Sequence, residues 1–205
     1  FCLSRGLGDV YKRQDLLPII SFLKLRGQSR CCNQPLQRLY LIGELVSFGA
    51  IFLYYPTHFN IHFTVFLITF LFLLTMCLYD IHSMHIDIRL LFVYTVVSVF
   101  VTQTYFGNFV MIFMISHVIY LFASKFIGYG DILLFNILGL IFPLNFFFFI
   151  VVFTFIIGGI FAIILKFFSF KDIKYLPLIP FIFISFVVTS LVYRHILFLL
   201  GGEFY

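Results

Sequence analysis

Residues 133–168 read LLFNILGLIFPLNFFFFIVVFTFIIGGIFAIILKFF, and this stretch decides the class of fold. Its only charged residue is Lys166. A helix crosses the hydrocarbon core of a bilayer with about 20 residues, so the stretch is too long for one span. The Pro-Leu-Asn sequence at 143–145 is a suitable break, because proline disrupts a helix and asparagine favours a turn. The sequence therefore predicts two consecutive membrane-spanning helices.

The whole chain has the composition of a membrane protein. Of its 205 residues, 63% are hydrophobic and 10% are charged, and the mean hydropathy is +1.15. A soluble domain carries about a quarter of its residues as charges, whereas lipid can surround an apolar surface. We predict an all-α, polytopic integral membrane helix bundle with about seven transmembrane helices. The predicted spans are 39–55, 61–79, 90–105, 109–124, 132–146, 147–165 and 176–193.

The positions of lysine and arginine predict the orientation of these helices, because cytoplasmic loops carry an excess of both. With the segment before the first span inside, the loops after the second, fourth and sixth spans also lie inside. The basic residues on that side are Lys24, Arg26, Arg30, Arg38, Arg89, Lys125, Lys166, Lys171 and Lys174. Only Arg194 falls outside. The net charge of +5 thus reports on orientation and gives no support to nucleic-acid binding.

The chain before the first predicted span has two parts. Residues 1–14, FCLSRGLGDVYKRQ, are polar and basic and contain no apolar run, so they are not a signal peptide. We expect them to be a non-native tail left by a sequencing artefact; a genuine flexible tail is the alternative. Residues 15–38 begin with the amphipathic DLLPIISFLKLRG and are predicted to be a cytoplasmic interfacial segment. Residues 39–205 form the predicted membrane domain.

Two of the eight acidic residues stand at span ends on the same side of the membrane. Asp80 ends the second span in LYDIHSMHIDIR, and Asp131 opens the fifth in GYGDILL. An ionisable residue at this depth is costly, which makes it a candidate for a functional site. Two carboxyl groups held together share one proton, so one can activate water while the other polarises a peptide carbonyl. The pair would hydrolyse a peptide without a metal or a covalent intermediate.

Structural explanations of the same residues remain open at this point. Asp131 is also suited to be a helix N-cap, and Asp80 to be a solvated loop residue. Asp87 is a competing aspartate near the second span. Gly128 and Gly130 would permit a tight turn and the close approach of a substrate backbone to Asp131.

GYGD after a span, with an earlier span that ends in aspartate, resembles the GxGD aspartic proteases of membranes. Within that group the chain is similar to the bacterial prepilin peptidases, also called type IV leader peptidases. The stretches DLLPIISFLKLRG, CNQPL, LIGELVS, DIHSMHIDIRL and PLIPFIF resemble segments of that family and occur in its order. The resemblance implies that Asp80 and Asp131 are the catalytic pair and that Gly128 and Gly130 shape the loop around Asp131.

The resemblance also implies a substrate and a location. Prepilins or competence pseudopilins would be cut after the glycine that ends a short basic leader. The site would face the cytoplasm, in a multi-pass protein of the bacterial cytoplasmic membrane. Some members of the family then methylate the new N-terminus with S-adenosylmethionine. The family's first span is missing from this sequence, so we regard the methyltransferase activity as doubtful and expect no other cofactor.

Several residues depart from the family pattern. Ser29 stands in place of one cysteine of the paired C-x-x-C motifs, and the first pair is absent, so we predict no metal site. Leu133 replaces a lysine two residues after the GxGD aspartate, and Asp87 replaces a proline. His82 and His85 have a spacing that suits a metal, but we interpret them as interfacial residues near the site.

Two other functions were weighed. Tyr79-Asp80 and the GYGD sequence also resemble the presenilin and signal-peptide-peptidase proteases, but residues 15–38 argue against that group. A non-catalytic transporter or assembly protein would need acidic residues near the middle of the membrane, and Asp80 and Asp131 are predicted at its inner edge.

Overall fold

A computed structural model describes residues 38–54, 61–123, 127–168 and 176–199. The predicted tail of residues 1–14, nearly all of the predicted interfacial segment, and both Cys31 and Cys32 lie outside these ranges. The described residues form seven helices. These are α1 (Arg38–Tyr54), α2 (Phe63–Ser83), α3 (Ile88–Val101), α4 (Phe106–Ala123), α5 (Tyr129–Ile141), α6 (Leu144–Phe168) and α7 (Ile179–Leu199).

Each of the seven helices overlaps one predicted span, which confirms the all-α membrane bundle. Among the described residues, three stretches have the length and apolar composition to cross a bilayer, namely Phe63–Ser83, Leu144–Phe168 and Ile179–Ile196. The other apolar helices are shorter. α5 has 13 residues and therefore extends only about 20 Å at 1.5 Å per residue. The chain is thus a polytopic membrane protein whose long helices are combined with short ones.

The predicted break in the Phe-rich stretch is confirmed. α5 ends at Ile141 and α6 begins at Leu144. The N–H of Phe142 still donates to the carbonyl of Leu138 at 2.9 Å, and the carbonyl of Pro143 accepts from the N–H of Phe147 at 3.0 Å. Proline suits this position because the first turn of a helix does not need its N–H.

The chain divides into two compact units, one ending at Phe52 and the other beginning at Leu53. Most of α1 belongs to the first unit, where the hydroxyl of Ser47 donates to the carbonyl of Glu44 at 2.8 Å. Helices α2 to α7 belong to the second unit. All the packing described below lies within this second unit.

α2 and α7 form the centre of the second unit. α7 packs along both α2 and α6, while α5 packs along α4 and touches α3 and α6. The ring of Phe186 on α7 lies 5.6 Å from that of Phe66 on α2 and 5.7 Å from that of Phe142 after α5. All three rings are buried. An aromatic core therefore joins the helices near the ends where α2 begins and α5 finishes.

Polar and small residues fix the contacts between neighbouring helices. The buried hydroxyl of Tyr94 on α3 donates to Oγ1 of Thr69 on α2 at 3.2 Å. The hydroxyl of Ser116 on α4 donates to Oδ1 of Asn136 on α5 at 3.1 Å. Such bonds and close contacts hold membrane helices together, because lipid removes the hydrophobic drive for them to associate. They join α3 to α2 and α4 to α5.

Candidate active site

Asp80 lies in the last turn of α2, where its side chain is buried with 6% of its surface exposed. The helix continues to Ser83 and ends at Met84, which has the left-handed conformation with φ of 53°. The N–H of Met84 donates to the carbonyl of Asp80 at 2.8 Å. Asp80 is thus a buried helical residue, and the solvated-loop interpretation is wrong.

The carboxyl group of Asp80 meets the beginning of another helix. The backbone N–H of Ile179, the first residue of α7, donates a hydrogen bond to it. The first N–H groups of a helix have no partner inside the helix and favour a negative charge. The start of α7, in the sequence PLIPFIF, therefore stabilises negative charge on Asp80.

Asp131 occupies the first turn of α5 but is not its N-cap. Gly128 is the N-cap residue, with φ of −69° and ψ of 143°, and its carbonyl accepts from the N–H of Asp131 at 3.1 Å. The N–H of Gly128 in turn donates to the Asp131 carboxyl group. A side chain three residues after the N-cap that binds the N-cap amide is one half of a capping box. Asp131 is thereby held at the start of α5.

Gly128 also leaves room for this carboxyl group. A Cβ atom at Gly128 would lie 3.1 Å from Oδ2 of Asp131, which is tighter than ordinary van der Waals contact. A larger side chain would therefore push the carboxyl group away from its position.

The structure brings the two predicted carboxyl groups together. Asp80, at the end of α2, and Asp131, at the start of α5, are near enough for their side chains to interact electrostatically. Two carboxyl groups that interact in a poorly solvated site are not easily ionised together, and such a pair can offer one proton acceptor beside one proton donor.

Gly130, in the GYGD sequence, lies against the segment that follows Asp80. A Cβ atom at this residue would lie 2.6 Å from Cδ1 and 3.1 Å from Cβ of Ile86. Ile86 belongs to the short connection between α2 and α3, six residues after Asp80. The second glycine of GYGD thus lets the start of α5 lie directly against the segment that follows Asp80.

Asp87, the competing aspartate, has a structural role. It is the N-cap of α3, and Oδ1 of its carboxyl group accepts from the N–H of Arg89 at 2.9 Å. A short polar side chain at this position satisfies one of the free N–H groups of the first turn. This use of the carboxyl group separates Asp87 from the pair formed by Asp80 and Asp131.

His82 and His85 do not form a metal site with their neighbours. Within the part of the chain that the structure describes, no three His, Cys, Asp or Glu side chains are grouped as ligands. The imidazole of His85, an exposed side chain, acts electrostatically on Asp80.

Two contributors to the site were not recognised from the sequence. They are the Ile179 amide, although its stretch, PLIPFIF, had been noted, and the side chain of Ile86. A backbone amide leaves no signal in a sequence. The contact between Ile86 and Gly130 depends on the packing of two helices that are far apart in the chain.

The fold and the carboxyl pair agree with a polytopic membrane protein of the aspartic peptidase class. Comparison with protein families agrees. Residues 66–163 match the type IV leader peptidase family, and residues 8–59 match the bacterial peptidase A24 N-terminal domain. The chain belongs to the type IV leader peptidase family, whose members are aspartic-type prepilin peptidases. No curated protein and no solved structure matches it.

Proposed function

We propose that Asp80 and Asp131 are the catalytic pair of a leader peptidase that cuts prepilins or pseudopilins after the glycine of a basic leader. The observation that carries the proposal is that the two carboxyl groups, at the end of α2 and the start of α5, are near enough to interact electrostatically. Both residues lie within the part of the chain that matches the peptidase family. Among the described acidic residues, Asp80 alone is buried, and it acts electrostatically on Asp131.

The pair would work by general acid–base catalysis. The ionised carboxyl takes a proton from a water molecule, whose oxygen attacks the carbonyl carbon of the scissile peptide bond. The protonated carboxyl donates to the carbonyl oxygen as negative charge develops there. The first carboxyl then passes the proton it took from water to the amide nitrogen, the C–N bond breaks, and the second carboxyl takes back a proton from the diol as the amine leaves. The Ile179 amide, which donates to the Asp80 carboxyl, favours the ionised form of that group.

The proposed active site faces the cytoplasm. α2 ends where α5 and α7 begin, so the pair lies at the end of the bundle that also carries the N-terminus of α3 with Arg89 and the C-terminus of α6 with Lys166. Cytoplasmic ends of membrane helices are enriched in such cations. A leader that remains in the cytoplasm would reach the pair from this side, while the apolar stem of the substrate stays in the membrane.

Membership of the leader peptidase family favours this function over the presenilin-like alternative. It also argues against a non-catalytic transporter or assembly protein. The position of the carboxyl pair in the terminal turns of α2 and α5, away from the middle of the helices, agrees with cleavage at the membrane edge.

The cleavage position separates the two protease functions. The protein, reconstituted in liposomes, is incubated with a pilin-like precursor and with a single-span substrate that lacks a basic leader, and the products are mapped by mass spectrometry. The proposal predicts one cut, after the leader glycine, and an intact single-span substrate. A cut within the span of either substrate would instead support the presenilin-like function.

A further inference from the structure

The turn that begins α5 is held by three consecutive residues, each with a different partner. Gly128 donates its N–H to the Asp131 carboxyl group, and Gly130 lies against Ile86 in the connection between α2 and α3. Tyr129 stands between the two glycines and is the only one of the three with a side chain. That side chain packs on α4. The position of the turn therefore depends on what holds Tyr129.

Two aromatic residues of α4 contact the Tyr129 ring. The ring lies edge-on to Tyr120, with centroids 5.4 Å apart and planes at 60°, and edge-on to His117, at 5.9 Å and 83°. Its hydroxyl oxygen is 3.5 Å from Nε2 of His117. Edge-to-face aromatic pairs at these separations attract each other beyond the effect of the area that they bury. Tyr129 is thus attached to α4 by its ring and by its hydroxyl, although 48% of its surface is exposed.

The His117 imidazole is itself held by its own helix. Its Nδ1 lies 2.9 Å from the carbonyl oxygen of Phe113, one turn earlier, and the centroids of the two rings are 3.9 Å apart. A ring nitrogen that faces a carbonyl oxygen carries its proton, because a carbonyl can only accept. In the neutral imidazole Nε2 is then an acceptor, so the Tyr129 hydroxyl donates to it.

α4 is a firm support for this contact because it packs along α5 at two further points. The hydroxyl of Ser116 donates to Oδ1 of Asn136 at 3.1 Å, and Ile112 lies against Gly139. These contacts lie in the middle of α5 and toward its C-terminal end, whereas Tyr129 is its first residue. Of the three contacts, the one made by Tyr129 adjoins the candidate site.

We propose that Tyr129 is a positioning residue of the peptidase, whose attachment to His117 and Tyr120 holds the turn that carries Asp131 in the orientation needed for catalysis. The inference rests on the proposed function and deepens it, because it adds α4 to the elements that fix the carboxyl pair. A displacement of about 1 Å can cost a factor of about 100 in rate, so a turn that loses this attachment would be slower in the chemical step.

The first test compares kcat and KM for a pilin-like precursor in liposomes among wild type, Tyr129→Phe and Tyr129→Ala. Phenylalanine keeps the ring and loses the hydroxyl, so kcat is expected to fall about threefold, the rate equivalent of an average hydrogen bond between membrane helices. Alanine loses both, and kcat is expected to fall between about tenfold and about a hundredfold. KM should stay close to the wild-type value, because Tyr129 acts through Asp131 and not on the substrate.

Ser116→Ala is the matched control, because it also breaks a contact between α4 and α5, but away from the site. We expect it to lower Tm and to leave kcat close to that of the wild type. His117→Gln keeps an acceptor for the Tyr129 hydroxyl and should retain more kcat than His117→Leu, which has none. Combining His117→Leu with Tyr129→Phe should cost little more than the larger single loss, because both remove the same bond.

Three results would overturn the inference and leave the proposed function intact. A rise in KM at unchanged kcat would make Tyr129 a substrate contact. Equal kcat in Tyr129→Ala and wild type would mean that the attachment does not position Asp131. Equal losses of kcat in Tyr129→Ala and Ser116→Ala would mean that its role is only structural. Absence of cleavage by the wild type would instead count against the proposed function.

The second test does not need activity. Thermal unfolding in detergent micelles is measured for wild type, Tyr129→Phe, His117→Leu and the double variant. The inference predicts shifts in Tm that are non-additive, since each substitution breaks the same hydrogen bond. Additive shifts would show that the hydroxyl and the imidazole do not interact, and would overturn the inference even if the enzyme proved inactive in liposomes.

Discussion

Ile86 lies against Gly130 so closely that a Cβ atom on the glycine would be 2.6 Å from Cδ1 of the isoleucine. This contact joins the segment after Asp80 to the segment before Asp131. The relative position of the two carboxyl groups therefore depends on a glycine that carries no functional group of its own.

Gly130→Ala is expected to displace the Ile86 segment and so separate the carboxyl pair. Overpacking of a tight contact costs about 1–3 kcal/mol of unfolding free energy. We expect a lower Tm in detergent and a reduced cleavage rate, with partial recovery in the double variant that also carries Ile86→Ala. Gly159→Ala is the control, because a Cβ there meets nothing within 4 Å. Wild-type activity in Gly130→Ala alone would show that the contact is not needed.

Gly139→Ala is expected to reduce stability without a specific effect on catalysis. A Cβ at Gly139 on α5 would collide with Cδ1 of Ile112 on α4, far from the carboxyl pair. Ile112→Val removes that Cδ1, so the double variant should regain much of the lost Tm. The measurement is thermal unfolding of the four proteins in one detergent. Equal Tm values for Gly139→Ala and the double variant would contradict this packing.

Asp87→Ala is expected to weaken the start of α3 and to leave cleavage largely intact. Loss of an N-cap costs about 1 kcal/mol. Asp87→Ser keeps a capping oxygen and should retain most of the stability. Cleavage rates and Tm are compared for both variants and Asp80→Asn. If Asp87→Ala abolished cleavage as Asp80→Asn is expected to do, Asp87 would have to be counted among the catalytic residues.

Tyr94→Phe is expected to lower stability by about 0.6 kcal/mol, the average for a hydrogen bond between membrane helices. The lost bond joins the Tyr94 hydroxyl to Oγ1 of Thr69 in the contact between α3 and α2. Denaturant unfolding in micelles should show that Tyr94→Phe and Thr69→Val are non-additive when combined. Strict additivity would indicate that the two hydroxyl groups do not interact.

The sequence was sufficient to predict the helices because their signal is local. The long apolar runs and the break at Pro143 were identified correctly, and so was the location of Asp80 and Asp131 at helix ends on one side. The helix bounds were less accurate. The second span was predicted to end at residue 79, but α2 continues to Ser83, so Asp80 lies in its last turn. The start of α7, which supplies a donor to the Asp80 carboxyl, lies far from α2 in the sequence.

The details of the site could not be predicted, because they depend on contacts between distant parts of the chain. Asp131 was weighed as an N-cap, whereas Gly128 has that position and Asp131 binds its amide from three residues further on. Nothing in the spacing of Asp80 and Asp131 indicates that their helices meet. That meeting follows from the packing of α3 against both helices and of Ile86 against Gly130.

The measurement that tests the central claim is cleavage of a pilin-like precursor by the protein in liposomes, compared with Asp80→Asn and Asp131→Asn. Asparagine keeps the size of each side chain but can neither accept a proton from water nor supply one to the carbonyl oxygen. We expect the wild type to cut after the leader glycine and each variant to lose cleavage by a factor of at least about 100, with Tm values close to that of the wild type. Cleavage by both variants at the wild-type rate would contradict the assignment of Asp80 and Asp131 as the catalytic pair.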